Sequence, residues 1–376
     1  MHIEFINSLK RIDARIWDNL RPQANPFVSH AFLSALEQHQ GVGEAQGWIP
    51  HHAVVYNEAK HIIGAAPLYL KVNSYGEFVF DWSWADAYRR YGLRYYPKFV
   101  CAAPYSPVPG PRLLCKDAAT RDFLLQGIVK EAENLHLSSF HCLFTTSEDS
   151  AALDRLQLGI RNDCQFHWFN RDYTDFNQFL DALKQKKRKN INQERRNVEN
   201  AGIILKRLRG DEIKDSMWAD YHRHYCDTFD RRGGYATLSL DFFQQLQQDL
   251  ADNLLLIAAF DGKRQVASAF CLHDETSLYG RHWGCDQSYN GLHFETCYYQ
   301  GIEFCIDNHL AVFQPGAQGE HKLSRGFLPT QTISGHWISH DEFDKVLRQF
   351  MAQERTEVTR YMNYLANHFP YKTPSK

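Results

Sequence analysis

Residues 254–283 constrain this chain more than any other stretch. Leu254–Phe260, Gln265–His273 and Ser277–Trp283 are three strand-forming runs in close succession. Asp261-Gly262 separates the first two, a dipeptide that closes antiparallel hairpins because Gly accepts positive φ. A helix opens at Asn290 or Gly291 and runs to about Asn308, and Ala311–Gln314 reads as another strand. Strands, a helix and a returning strand make an α/β unit with a mixed sheet. At roughly 100–200 residues per domain, a chain of this length holds two such units.

The remaining segments are read the same way. Ser29 caps a helix over His30–Gln38, with Phe32, Leu33 and Leu36 on its buried face. His51–Tyr56 and His61–Val72 form a hairpin, and Phe78–Phe80 extends its sheet. Prolines at 104, 107, 109 and 111 exclude a central strand and indicate an ordered loop. Thr120–His136 is a helix, Ser139–Thr145 a strand and Ser150–Leu158 a short helix. A second unit begins around Cys164–Asn170. It holds a helix at Phe176–Leu183, a strongly basic helix at Lys186–Asn200 stopped by Gly202, and a strand at Ile203–Arg207. Helices at Asp215–Phe229 and Asp241–Asp249 follow, and Asp341–His368 is a long amphipathic helix. The expected division is 1–165 and 166–376, with the basic and C-terminal helices in the second domain and a frayed tail at Thr373–Lys376.

Charge and cysteine content narrow the setting. Lys and Arg number 42 against 44 Asp and Glu, so nothing global calls for nucleic acid or a membrane. The nine cysteines are odd in number and contain no Cys-x-x-Cys pair, which fits free thiols in a reducing, cytoplasmic compartment. The N-terminus lacks the apolar core of a signal peptide, and no run of eighteen apolar residues occurs.

The usual catalytic signatures are absent: no phosphate loop, no Gly-x-Gly-x-x-Gly, no Gly-x-Ser-x-Gly and no His-Glu-x-x-His. The order of elements from 254 to 314 is similar to the GNAT acyltransferase core. That core carries Arg/Gln-x-x-Gly-x-Gly/Ala before its central helix, where backbone N–H groups hold the pyrophosphate of coenzyme A. Here Gly284–Gly291 lacks the pattern. Its two occurrences, Gln38–Gly43 and Arg231–Ala236, do not lie between a strand and a helix in the right place.

Several segments together resemble the FemAB-like branch of the GNAT superfamily. They are Asn25-Pro-Phe-Val-Ser-His-Ala-Phe-Leu, Lys187-Arg-Lys-Asn-Ile-Asn-Gln-Glu-Arg-Arg, Tyr279-Gly-Arg-His-Trp-Gly-Cys, His293-Phe-Glu-Thr-Cys-Tyr-Tyr-Gln-Gly-Ile-Glu and Gln314-Pro-Gly-Ala-Gln-Gly-Glu-His-Lys-Leu-Ser-Arg-Gly-Phe. The resemblance covers nearly the whole chain and is strongest for a peptidoglycan-biosynthesis-like, N-acyltransferase subfamily. It implies two GNAT-like halves of mixed twisted sheets flanked by helices. It also implies acyl or aminoacyl transfer to a small-molecule or peptide amine. The donor is acyl-CoA or aminoacyl-tRNA, used as a co-substrate with no tightly bound cofactor. A non-catalytic GNAT-like binding protein is the alternative.

The candidate site residues follow from these segments. Glu320, His321, Lys322 and Arg325 place an acid, an imidazole and two cations within six positions, beside the small residues Gly316, Ala317 and Gly319. His321 or Glu320 would accept a proton, and Lys322 and Arg325 would hold a carboxylate, phosphate or oxyanion. Glu295 and Glu303 sit among aromatics on the 291–308 helix with Tyr298 and Tyr299, and His282 is a further base candidate. Asp81, Trp82 and Tyr105 are candidates to line a cleft from the first half. Lys187, Arg188 and Arg195 are the expected donor-phosphate contacts. A metal reading would need His282, Glu295, Glu303, Glu320 and His321, whose spacing is not that of a ligand set, so no metal is expected.

Overall fold

A computed structural model describes residues 1–287, 289–317 and 319–372; Ser288, Gln318 and the Thr373–Lys376 tail lie outside the described residues. The chain divides into two compact units. The first is Met1–Cys164 with Gln331–Tyr361, and the second is Gln165–Thr330 with the residues from Met362 on. Residues 331–361, expected in the second domain, therefore belong to the first, and most of the C-terminal helix Asp341–Ala366 goes with them.

In the first unit the strands are β1 (His2–Ile6), β2 (Trp48–Pro50), β3 (His52–Tyr56), β4 (Ile62–Ala66), β5 (Leu68–Lys71), β6 (Lys98–Cys101), β7 (Leu114–Cys115) and β8 (Ser139–Cys142). The expected strand His61–Val72 is cut in two at Pro67. Its first half, β4, pairs with β3 and β7. The second, β5, pairs with β2 and β6 in another sheet. Pro has no N–H to give to a ladder, so the chain can change sheets there at little cost. The segment expected to extend the sheet, Phe78–Phe80, is a loop, and it leads into a helix over Trp82–Arg90. That helix seats Trp84 and Tyr88 against Tyr95, Leu347 and Met351.

Strands β6 and β8 run parallel, joined through the helix Ala118–Asn134. Asp117 caps this helix by accepting the Thr120 N–H at 2.8 Å. Its Leu124, Leu125 and Ile128 are fully buried against Val55, Leu68, Phe99 and Phe140. At about 1.5–3 kcal/mol per side chain, these three contribute several kcal/mol toward holding the crossover in place.

The second unit repeats this logic. β9 (Gly159–Phe169) begins in the first unit and ends in the second. β10 (Ile203–Arg209), β11 (Leu254–Asp261), β12 (Arg264–His273) and β13 (Ser277–Cys285) form an antiparallel run. Gly262, at φ 57°, closes the β11–β12 hairpin. β14 (Val312–Gln314) lies parallel to β13 over three residues, Ser277–Tyr279. On its other side β14 pairs antiparallel with Phe169 and Trp168 of β9. β15 (Leu328–Ile338) returns to the first unit, where Gly335–Ile338 pair with Cys142–Ser139 of β8. Each unit thus has an antiparallel run, a parallel pair bridged by a helix, and a closing antiparallel strand. This is the expected fold class: two GNAT-like halves, mixed sheets flanked by helices, and a long C-terminal helix.

Two irregularities shape the second unit. The β12–β13 register shifts so that Phe270 faces His282 while Cys271 faces Gly280, which leaves Arg281 as a bulge. The expected single helix from 291 to 308 is an α-turn at Leu292–Phe294, a π-helical segment at Glu295–Tyr299 and an α-helix at Gln300–Asp307. A π-bulge inserts one residue into the helical repeat and re-aims the side chains after it.

Candidate active site

The pairing of β13 with β14 stops at Tyr279 and Gln314, and the two strands then part. Gly280 sits at the fork, where an added Cβ would meet Pro315 Cα at 3.2 Å. Beyond Gln314 the chain turns into a short 3-10 helix, Glu320–Arg325. Gly319 before it has φ 118°, and a Cβ there would lie 2.5 Å from Cε1 of His321. Only glycine lets the imidazole fold back over the backbone at this point.

Lys322 is buried, at 2% exposure, and donates from Nζ to the Gly316 carbonyl at 2.6 Å. Among the described residues no carboxylate pairs with it. Burial pushes its pKa down to about 8, and the nearby Cys297 offsets this in part. The effect of this cation reaches three histidines. His167 on β9 is held down to about 3 by burial and then by Lys322. His293 is held down to about 4 by burial, with His321, Arg325 and Lys322 adding to it. His321 is lowered by burial, then by Arg325 and Lys322. Burial keeps the imidazoles neutral, and the neighbouring cation adds to it.

His321 is exposed, and its Nε2 lies 2.8 Å from the hydroxyl of buried Tyr298. Burial holds the phenol well above its ordinary range, so this pair has a proton to share and no charge. In the tautomer where Nε2–H donates to the phenol oxygen, Nδ1 is the basic nitrogen.

Two ion-pair networks frame this centre. In the first, Arg195 of the basic helix Gln185–Asn200 donates to Glu295 Oε2 at 3.1 Å and to Glu303 Oε1 at 2.6 Å. Gln300 donates to Glu295 Oε1 at 2.8 Å. One cation thus serves two acids, and burial still leaves the Glu295 carboxyl raised. In the second, Arg325 donates to Glu194 at 2.6 and 3.2 Å, to the Tyr299 hydroxyl at 3.1 Å and to the His321 carbonyl at 2.9 Å. Its guanidinium also lies 3.4 Å from the Phe294 ring centre.

These networks change the roles expected for several residues. Arg195 and Arg325 are committed to carboxylates, so they fix the basic helix to the site instead of presenting charge to a ligand. Tyr299 donates to Glu194 and belongs to the same lock. His282 packs among Tyr225, Phe243 and Phe270, and its buried Nδ1 has no partner. Burial, with Arg281 beside it, keeps it far below the ordinary histidine range. Glu320 is exposed at the start of the 3-10 turn. Of the phosphate candidates, Arg188 donates to Asp181 at 2.7 Å, and Lys187 is half-buried.

The candidates from the first half belong to a separate arrangement. Asp81 is buried on Lys98 and accepts from the Tyr95 hydroxyl at 2.5 Å. Trp82 is 43% exposed, edge-on to Tyr75. Tyr105 donates to the Gly41 carbonyl at 2.8 Å. Sequence reasoning missed His167, His293, Glu194 and Gln300. The last three flank or fall within segments already singled out, but His167 lies on a strand whose sequence gives no hint of its neighbour. Among the described residues no group of His, Cys, Asp and Glu side chains converges as a metal site.

Other proteins share this architecture. The C-terminal domain of a protein from Agrobacterium fabrum, assigned as lysylphosphatidylglycerol synthetase, superimposes with a TM-score of 0.54 at 8% identity, over 92% of this chain and 97% of that one. FemX gives 0.51 at 9% identity, over 93% and 100%. L-PGS from Bacillus licheniformis gives 0.50 at 10%, over 88% and 98%. At these identities the likeness is one of fold. No curated protein matches the sequence at a significant level. No helix among the described residues is long and apolar enough to cross a membrane. The FemAB-like family model, described as peptidoglycan biosynthesis/recognition, matches residues 8–373, and the chain belongs to that family.

Proposed function

We propose that this protein transfers an aminoacyl or acyl group from an activated ester or thioester to an amine. The observation that carries the reading is Lys322, a buried ammonium without a carboxylate, set where β13 and β14 part. A buried cation with no anion of its own is costly unless something negative arrives. In amine attack on a carbonyl, negative charge develops on the carbonyl oxygen. Lys322 would donate to that oxygen, while Nδ1 of His321, with Tyr298 behind it, would take the proton released by the amine and return it to the donor's hydroxyl or thiol as the ester or thioester bond breaks. Glu295, held by Arg195 and Gln300, would orient the amine, and Glu320 stands at the edge of the site as a second acceptor. Lys187 and Arg188 would meet donor phosphates.

Aminoacyl-tRNA is preferred to acyl-CoA as donor. The family description names peptidoglycan, and the similar structures bear the names FemX and lysylphosphatidylglycerol synthetase. The Gly284–Gly291 connection also lacks the coenzyme A pattern. A non-catalytic binding protein would keep the same site and show binding without turnover.

The test is mass spectrometry of amine acceptors incubated with charged tRNAs and an acyl-CoA panel. Lys322→Met should lose about 10²–10³-fold in rate with melting unchanged. The rate should also fall as pH rises through about 8, where Lys322 gives up its proton. No transfer from either donor class would refute the proposal.

A further inference from the structure

Six large apolar side chains stand exposed on the first unit between residues 75 and 93: Tyr75, Phe78, Phe80, Trp82, Tyr91 and Leu93. Tyr75 is 68% exposed, Phe80 53% and Tyr91 77%. A single exposed apolar residue needs no explanation, but a run of them marks a surface that meets something. None of these side chains takes part in the chemistry above.

The backbone holds them outward. The Tyr75 carbonyl accepts the Trp48 indole N–H at 3.0 Å and the Lys71 ammonium at 3.1 Å. The Phe80 carbonyl accepts from Arg161 at 2.7 Å. Burial alternates between these anchors: Glu77, Val79 and Asp81 are buried, while Phe78, Phe80 and Trp82 are exposed. Glu77 and Asp81 reach inward to Lys98, so the rings between them turn out. Tyr75 packs edge-on to Trp82, with ring centres 5.1 Å apart, where the helix Trp82–Arg90 begins. Arg89 lies seven residues further on, on the same helix face as Trp82. Tyr91, just after the helix, is steadied by the Phe343 ring at 5.5 Å.

Charge is sorted along the same segment. Three acids fall between residues 72 and 94, and two of them, Glu77 and Asp81, are buried on Lys98. The third, Asp86, is shared by Arg89 and Arg90 at 2.5 Å each. Arg94 is exposed as well. The outer surface of the segment thus carries three guanidiniums against one carboxylate. Asp163, an exposed acid, borders a small cavity with Phe80 on the N-terminal side of the helix, whereas the arginines gather at its C-terminal end. A second copy of the chain suits this surface poorly, because a two-fold contact sets arginines against arginines. RNA suits it poorly too: bases stack on Tyr75 and Trp82 but leave Leu93 in water, and three arginines reach few phosphates.

We propose that this surface docks the protein on an anionic lipid bilayer. Phe78, Phe80 and Leu93 enter the edge of the acyl region, Tyr75, Trp82 and Tyr91 lie at headgroup level, and Arg89, Arg90 and Arg94 meet lipid phosphates.

The test is flotation of the full chain with vesicles of phosphatidylglycerol or of phosphatidylcholine. The chain should float with the first and about tenfold less with the second. Phe78→Asn with Phe80→Ser should cut binding to both by about tenfold or more; Asn suits the φ of 61° at position 78. Arg89→Glu with Arg90→Glu should remove the preference for phosphatidylglycerol. Bromine-labelled acyl chains should quench tryptophan emission, and Trp82→Phe should lose most of that quenching. Lys322→Met, in the other unit, should float as the parent does, whatever its effect on transfer. No flotation with phosphatidylglycerol, equal flotation with both lipids, or unchanged flotation of the Phe78→Asn, Phe80→Ser chain would overturn the proposal. So would a dimer in sedimentation that this double variant disperses, or tRNA binding that it loses while still floating. Melting curves establish that each variant folds; if the double variant does not, the arginine pair and the Trp82→Phe quenching decide.

Discussion

Replacing Lys98 by Met should be among the most damaging single changes to the first unit. Lys98 is fully buried on β6. Its Nζ donates to Glu77 at 2.8 Å, to Ser74 at 3.1 Å and to Asp81. It also lies 5.2 Å from the centre of the Tyr95 ring. Glu77 and Asp81 are themselves buried, and each keeps a second oxygen without a partner. Met fills nearly the same volume, so little cavity forms and the loss is electrostatic. Breaking a buried ion pair from one side costs about 3–5 kcal/mol, and here one cation answers two acids.

That cost depends on pH. Glu77 is held up to about 7 in the folded protein, mainly by burial. Its ordinary value is 4.5, so the folded state binds the extra proton, and stability falls as pH rises from 4.5 through 7. Without Lys98 that carboxyl would rise further, and the penalty would keep growing above pH 7. Asp81 is held below its ordinary value by Lys98, so its stabilisation is present above pH 3.8 and lost on acidification. Both effects make the variant's deficit larger at pH 8 than at pH 5. Urea unfolding followed by tryptophan fluorescence at the two pH values measures it. Adding Glu77→Gln and Asp81→Asn should recover most of the loss. A deficit under about 1 kcal/mol, or one that does not change with pH, would refute the reasoning.

Three further outcomes are expected. Arg195→Met leaves Glu295 and Glu303 facing each other and should cost about 1–3 kcal/mol, the partial exposure of the pair holding it below a fully buried case. The loss should be larger at pH 8 than at pH 5 in chemical denaturation and should shrink when Glu295→Gln is added. Gly319→Ala forces a side chain into positive φ and against the His321 ring, at about 1–3 kcal/mol in melting experiments; His321→Ala in the same chain should return the steric part. Lys71 is buried and pushed down to about 7. The folded state therefore resists its protonation, a penalty that is full below pH 7 and fades toward 10.5, so the stability of Lys71→Met relative to the parent should fall as pH rises from 7 to 10.

Regular elements were legible wherever periodicity ran unbroken. His30–Gln38 is a helix over those residues, and the basic helix differs from expectation by one residue. The three strands from 254 and the Gly262 turn lie where the pattern put them. What failed were features that a local period cannot carry. Pro67 was visible, but its effect, a change of sheet, depends on which strands wait on either side. The π-segment at Glu295–Tyr299 adds one residue to a repeat that otherwise looks helical. The Gln314–Arg325 segment stood out in the sequence because its charged residues cluster near small ones. The partition of those charges was not legible, since Glu194 lies 131 positions from Arg325 and claims it through tertiary packing. Lys322 donates to a backbone carbonyl, and among the described residues no carboxylate pairs with it.

The exchange of closing strands has a consequence during synthesis. The first unit lacks its closing strand and most of its long helix until residues 331–361 are made. Between Cys164 and Gln331 lie 166 residues (331 − 164 − 1), the bulk of the second unit. At about 5–20 residues per second, the ribosome needs on the order of ten to thirty seconds to cover them. For that interval β8 shows an unpaired edge, and the side chains that Ile338, Leu347 and Met351 will cover stay open. A chain stopped near residue 165 would keep that edge for good, so the two halves cannot be separated by cutting the gene at the boundary between them.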